Sequence, residues 1–304
     1  MDEHPIVVEN LVKYYEGRCV LDGIGLKVPR GCIYGLLGRN GCGKTTLIRA
    51  LLGLEPPTRG RTLLLGQDSR NLTAGTRARI GYVAEGHNLI QNYRVRRLIG
   101  LCKDLSLRWN AEFFDHLMET FRLPMDRKVK ELSAGMRAQL NLALAMAADP
   151  ELLILDDPTL GLDTVARRQF LELAIDLIQK QDRTILFSSH ILGDVERIAD
   201  RVGIMAGGKL AVDCELEELK RRVRKLRILF PSEAPENLYI TEIINQRNTG
   251  REMVLTVANW NEQKQAILET FGPDSCSELV MTLEDIFIEC TRPSNAAVLE
   301  GSEV

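Results

Sequence analysis

Near the N-terminus stand eight residues, Gly38-Arg39-Asn40-Gly41-Cys42-Gly43-Lys44-Thr45, followed by Thr46. Their types and spacing are those of a phosphate cradle, G-x-x-x-x-G-K-[ST]. Glycines at 41 and 43 let the main chain bend and approach an anion closely. Lys44 brings a point charge suited to the β- and γ-phosphates, and the Thr45 hydroxyl is a ligand for Mg²⁺. A glycine-rich turn without function is the bland alternative, but the flanks agree with the cradle. Ile33-Tyr34-Gly35-Leu36-Leu37 reads as a buried strand, and Leu47, Ile48, Leu51 and Leu52 recur at helical spacing. Strand, glycine loop, helix start: that order aims backbone N–H groups and a helix dipole at one point. The chemistry implied is binding of a nucleoside triphosphate with Mg²⁺.

A second acidic motif lies far along the chain. Leu152-Leu153-Ile154-Leu155-Asp156 is an apolar run ending in a carboxylate, which in P-loop enzymes holds the Mg²⁺ shell from a neighbouring strand. Many strands end in Asp, so the pattern gains its weight from Lys44.

These motifs need a sheet to carry them. Ile6 to Val12, Val20 to Val28, Arg61 to Leu65 and Ile80 to Ala84 are strand candidates. From about Ile90 to Met146 helical periodicity takes over, which makes an all-helical insertion. Strands return at Leu152–Leu155, Thr184–Phe187, Val202–Met205 and Leu210–Val212, with helices at Val165–Gln181 and Leu192–Ala199. The alternation predicts a parallel α/β sheet flanked by helices. After a charged helix, Leu216 to Val223, the chain predicts a small α+β unit. It holds a strand Leu226–Phe230, a hairpin of Tyr239–Asn245 with Met253–Ala258, and a helix Gln263–Phe271. Leu279–Thr282 and a last helix, Leu283–Cys290, complete it. The domains expected are therefore 1–220, with the helical part at about 90–148, and 221–293, then a disordered tail at 294–304.

Bulk properties narrow the classes. Over 304 residues the net charge is −3, so no global basic field invites nucleic acid. The run Lys220-Arg221-Arg222 with Arg224-Lys225 reads as a charged helix face. Seven scattered cysteines without a C-x-x-C pair suit reduced thiols in a cytoplasmic compartment. No apolar stretch reaches the ~20 residues that span a bilayer, so any membrane crossing must come from a partner.

Five motifs in order now resemble one family: Tyr15, Glu85, Leu132-Ser133-Ala134-Gly135-Met136, the run Asp157-Pro158-Thr159-Leu160-Gly161-Leu162-Asp163, and Ser188-Ser189-His190. With the phosphate loop they resemble the ATP-binding subunit of an ABC transporter, over about Ile6 to Val212. The resemblance implies an ABC-type nucleotide-binding domain that binds ATP through Gly38, Arg39, Asn40, Gly41, Cys42, Gly43, Lys44, Thr45 and Thr46. It implies that Tyr15, with Tyr14 as rival, stacks on adenine. Ser133 and Gly135 would meet the γ-phosphate held by a second subunit, and Asp163 would sit at the dimer seam. Thr45, Glu85 and Asp156 would serve the Mg²⁺. Lys44, Glu85, Asp157 and His190 would form the catalytic set, although a plain structural histidine remains an alternative for His190. The implied partners are a second ATPase subunit, as a homodimer, and a multi-span membrane permease. The implied location is peripheral, on the inner face of the cell membrane. Glu85, where the family often has Gln, and the C-terminal Leu283-Glu284-Asp285-Ile286-Phe287 are similar to ATPases of ABC-2-type exporters. Ile286 and Phe287 also fit ordinary helix-core positions.

The chain departs from the family at three points. Asp157 stands where Glu is usual, so its carboxylate is one methylene short of the usual reach and slow turnover is expected. Ala134 replaces a glycine, and Ala138-Gln139 replace Gln-Arg. Cys42, close to Lys44 and a helix start, is expected to favour thiolate, with a small space-filling residue as the plainer alternative. Leu89, Ile90 and Tyr93 are expected to offer exposed apolar contacts to a permease. Two other functions stay open: a soluble ATP-switched regulatory or assembly protein, and a pseudoenzyme with Asp157 nearly inert.

Overall fold

A computed structural model describes residues 3–86, 88–181 and 183–291; the expected tail, 294–304, lies outside them. The chain opens with the hairpin β1 (Ile6–Tyr15) and β2 (Arg18–Val28). β3 (Ile33–Gly38), buried along its whole length, runs through the phosphate loop into α1 (Lys44–Leu51). β4 (Arg59–Leu64) returns beside β1 and β5 (Gln67–Asp68) beside β4, making an antiparallel sheet in the order β2-β1-β4-β5. β1, β2 and β4 were legible one by one, but the short β5 and the separation of these strands into a sheet of their own were not.

α2 (Ala74–Arg77) leads to β6 (Ile80–Val83). The helical insertion follows as α3 (Val95–Leu105), α4 (Ala111–Phe121) and α5 (Ala134–Met146). It builds a small core of its own from residues such as Val95, Leu98, Val129 and Leu140. β7 (Leu152–Asp156), α6 (Thr164–Gln181), β8 (Thr184–Ser189), α7 (Leu192–Ile198), β9 (Arg201–Ala206) and β10 (Lys209–Glu215) then close the central sheet. Its order is β10-β9-β3-β8-β7-β6. All neighbours are parallel except β10, which lies antiparallel on β9. β3, β7 and β8 are buried at every position, because helices cover one face of the sheet and α1 with the antiparallel sheet covers the other.

α8 (Leu216–Arg222) opens the C-terminal part, with β11 (Val223–Leu229), β12 (Ile243–Thr249), β13 (Glu252–Ala258), α9 (Glu262–Thr270), β14 (Ser275–Leu279) and α10 (Leu283–Cys290). Its antiparallel sheet runs β12-β13-β11-β14. Two expectations shift here. The hairpin starts at Ile243 rather than Tyr239, because Tyr239 and Glu242 take positive φ of 53° and 61°, which ends extended pairing before them. The following strand is Ser275–Leu279 rather than Leu279–Thr282, because Thr282 caps α10 in a reciprocal box with Asp285. Leu283, Ile286 and Cys290 of α10 are fully buried in the main core, and α10 packs against α7. The C-terminal part is thus tied to the central domain by more than its linker.

Candidate active site

The parallel order puts the ends of β3, β7 and β8 side by side, and each end carries a motif. At β3 the loop turns on Gly41 and Gly43, at φ of 78° and 111°, where a side chain would be strained. α1 then starts at Lys44 with no side-chain cap and no acidic residue in its first turn. Its leading N–H groups are left to an incoming anion. Lys44 is buried and donates from Nζ to the Gly38 carbonyl at 2.7 Å, which folds it over its own loop. A cleft of about 310 Å³ faces this loop. Asn40, Gly41, Gly43, Lys44, Thr45 and Thr46 line one side, and Glu85, Asp156 and Asp157 the other.

The carboxylates are held by β8. Ser188 lies directly opposite Asp156 across the parallel pair. Its Oγ donates to Asp156 Oδ1 at 2.7 Å and accepts from the Asp157 N–H at 2.9 Å. Asp156 Oδ2 is buried with no partner among the described residues. An orphaned carboxylate oxygen beside the Thr45 hydroxyl in one cleft suits a hard cation with oxygen ligands. Asp157 sits at φ 48°, and both its oxygens lie 2.8 Å from His190 Nδ1. The pairing gives His190 a partner at the site, so its place is not that of an isolated surface residue.

Behind them runs a strut that the sequence did not disclose. Thr159 Oγ1 donates to Asp194 Oδ2 at 2.9 Å, and both residues are buried. Burial raises the Asp194 carboxyl above its usual range, opposed by the Thr159 bond and by Arg167 and His190. Ser188, until now only the first residue of the motif that ends in His190, is the other residue whose role shows only in three dimensions.

Ser133, Gly135 and Asp163 lie elsewhere. Ser133 Oγ accepts from the Met136 N–H at 3.2 Å and caps α5, while Asp163 Oδ1 accepts from the Ala166 N–H at 2.9 Å and caps the start of α6. The two helix starts adjoin: Leu162 and Ala166 neighbour Gly135, and Ala134 faces Gly161. None of the three lines the cleft of its own chain. Gly38, Arg39 and Cys42 support the loop without lining the cleft. Gln139, in place of the usual Arg, bonds Gln169 at 3.4 Å.

Tyr15 also lies outside the cleft lining. It is partly exposed, with its hydroxyl bonded to the Glu55 carboxylate and Lys13 Nζ 4.9 Å from its ring centre. Burial, then the Glu55 bond, raises its phenol. Tyr14 is more exposed, at 48 %, and lies opposite Cys19 in the hairpin.

Cys42 corrects an expectation. Burial pushes its thiol up, and Lys44, the largest opposing influence, pulls it down by less. Its sulfur fills the space over Gly38, where a Cβ would collide with it. The plainer reading of Cys42, a small filler, fits the geometry. The apolar trio is corrected too. Ile90 is exposed at 46 %, but Leu89 and Tyr93 are partly buried against the helical core.

Comparison with known proteins decides the family. Residues 21–160 match the family described as ABC transporter. The ABC transporter ATP-binding protein YtrB of Bacillus subtilis is 31% identical, over 93% of this chain and 97% of its own. This chain belongs to the ABC transporter ATP-binding proteins. The bacitracin transport ATP-binding protein BcrA of Bacillus licheniformis is 36% identical over 72% of each chain. A solved structure of an ATP-binding subunit of an ABC transporter superposes with a TM-score of 0.64 at 28% identity, covering 71% of this chain and 92% of that one. The protein is an ABC-type ATPase with the P-loop fold expected of it. The match to YtrB runs past the ATPase domain into the C-terminal sheet.

Proposed function

We propose that this ABC ATPase powers export through a separate multi-span permease, working as a pair of copies around two Mg-ATP. One observation supports the reading: the phosphate loop and its carboxylates line one cleft, whereas Ser133, Gly135 and Asp163, at the adjoining starts of α5 and α6, do not line it. A two-fold pair would join each set to the other across its seam. The export direction is suggested by relatives named for bacitracin transport and Nod factor export, and the ABC-2 type by Glu85 and the C-terminal extension.

In this reading the N–H groups of residues 41–45 and Lys44 hold the β- and γ-phosphates. Thr45, Asp156 through its free Oδ2, and Glu85 serve the Mg²⁺, which supplies charge neutralisation on the phosphates when bound. Asp157 orients the attacking water and takes its proton, and His190 fixes that carboxylate. Asp157 is shorter than Glu and is tied to His190 by both oxygens, which favours slow turnover over none. Tyr15, or Tyr14 beside it, stacks on the base. No helix among the described residues is long and apolar enough to cross a membrane; in this reading the chain attaches peripherally, at the inner face, through its permease.

The permease contact is placed at the free edge of β6. There Leu52, Leu54, Leu72, Ile80 and Tyr82, with Arg77, line a groove of about 180 Å³, and Leu54 is 57 % exposed. Leu54→Asp is expected to release the protein from its membrane subunit during co-purification while leaving ATP binding intact. The central test is association: sedimentation with Mg-ATP is expected to show a dimer for the parent chain and a monomer for Lys44→Ala. Equal association of both would end the reading. A regulatory protein without transport would pair in ATP but bring no membrane subunit with it.

A further inference from the structure

The C-terminal sheet has one face packed and one only partly covered. Leu226 and Ile228 of β11 enter the apolar cluster with Leu255 and Val257. Alternation therefore puts Lys225 and Arg227 on the opposite face. Register carries that face across the sheet: Leu279 and Thr256 flank Lys225, Asn245 lies opposite Thr256, and Arg247 lies opposite Val254. α10 covers this face at one end. Between helix and sheet opens a cleft of about 400 Å³, within the range of small-molecule sites. Val254, Leu279 and Ile288 give it apolar walls, with Lys225, Arg247, Asp285 and Glu289 as its charged groups.

Those charges are not equivalent. Asp285 Oδ2 accepts from the Thr282 N–H at 3.0 Å and from its Oγ1 at 2.9 Å. These bonds hold its carboxyl below the usual range, with Lys225 adding a smaller pull. Glu289 is 7% exposed and accepts from Asn245 Nδ2 at 3.1 Å. Asp285 is thus engaged through Oδ2 and Glu289 through Oε1, while Glu289 Oε2 makes no hydrogen bond among the described residues. Lys225 and Arg247, by contrast, make no hydrogen bond or ion pair among the described residues. Neighbouring Arg224 and Arg227 show how readily this sheet pairs its cations, with Glu278 at 3.0 Å and Glu252 at 2.7 Å. Two unpaired cations beside three aliphatic walls call for an anion with an apolar body.

We propose that this cleft binds a small amphiphilic anion, a carboxylate or phosphate monoester on a short alkyl chain, and that α10 transmits its occupancy to the ATPase site. The helix has two working faces. Asp285, Ile288 and Glu289 line the cleft, while Leu283, Ile286 and Cys290 share a core with Val195 and Ile198 of α7. α7 starts two residues after His190. A ligand that shifts α10 therefore shifts the helix that follows His190.

Titration calorimetry on the full chain without ATP tests the binding half, so it stands apart from the transport reading. The probes are hexanoate and hexyl phosphate, with inorganic phosphate and hexanol as half-ligands. One hexyl anion is expected to bind per chain, at least about tenfold tighter than either half-ligand. The Lys225→Met/Arg247→Met double variant should weaken it by about tenfold or more, while Lys225→Arg retains binding. Circular dichroism of the double variant controls for folding. No heat from either hexyl anion, unchanged binding by the folded double variant, or inorganic phosphate binding as tightly would overturn the site. ATP turnover measured with the bound hexyl anion should change in the parent and not in the double variant; an unchanged parent would overturn the transmission.

Discussion

At φ 48°, Asp157 occupies a left-handed conformation that Asp tolerates better than most side chains. Its oxygens are both spent on His190 Nδ1, which fixes the carboxylate close to its own backbone. Asp157→Glu is expected to raise phosphate release, since the added methylene lets one oxygen reach the water while the other keeps His190. Asp157→Asn should lower it by roughly 10²–10⁴-fold with ATP affinity kept. A turnover indifferent to both changes would remove Asp157 from the chemistry. Cys42 offers a second test at this scale. Because burial raises its thiol, less thiolate exists at neutral pH than on a free cysteine. Maleimide labelling of Cys42 should therefore run slower than on a model thiol, speed up as pH rises past the ordinary thiol range, and be blocked by ATP. Labelling at the model-thiol rate at neutral pH would contradict the burial argument.

Between elements, the loops after β7 and β8 are stitched together by Ser188 and by the Thr159–Asp194 bond. Thr159→Val keeps the shape but strands a buried carboxylate, at a cost of about 1–3 kcal/mol. Turnover should fall while ATP affinity holds, and Thr159→Ser should restore it; steady-state kinetics beside a nucleotide titration separate the two. This stitching marks the limit of what the sequence discloses. The phosphate loop was legible because its signal is local: glycines, Lys44 and an apolar run on each side. β3, β7 and β8 were legible because strands buried on both faces are apolar at almost every position. Ser188 was not, since its role depends on the register that sets it opposite Asp156. The start of β12 was misplaced because the chain bends at Tyr239 and Glu242 despite an alternation that reads as extended. The Cys42 thiol was misjudged because charge is visible in sequence and burial is not.

Across the whole molecule, α10 joins the C-terminal sheet to the ATPase core. Ile286 is fully buried there, so Ile286→Ala should cost about 2–5 kcal/mol, read as a lowered midpoint in denaturant unfolding. Val280, 95% exposed, should tolerate Val280→Thr within about 0.5 kcal/mol in the same assay. Equal losses at both positions would mean that α10 does not anchor the sheet.

The heads of α5 and α6 never line the cleft beside them, and this separation has a kinetic consequence. Under the proposed two-copy arrangement, a solitary chain holds its nucleotide with half the groups it needs, so phosphate release waits on encounters. In dilute solution with saturating ATP, doubling the protein should raise the rate about fourfold rather than twofold, until crowding of one copy by another makes the dependence linear.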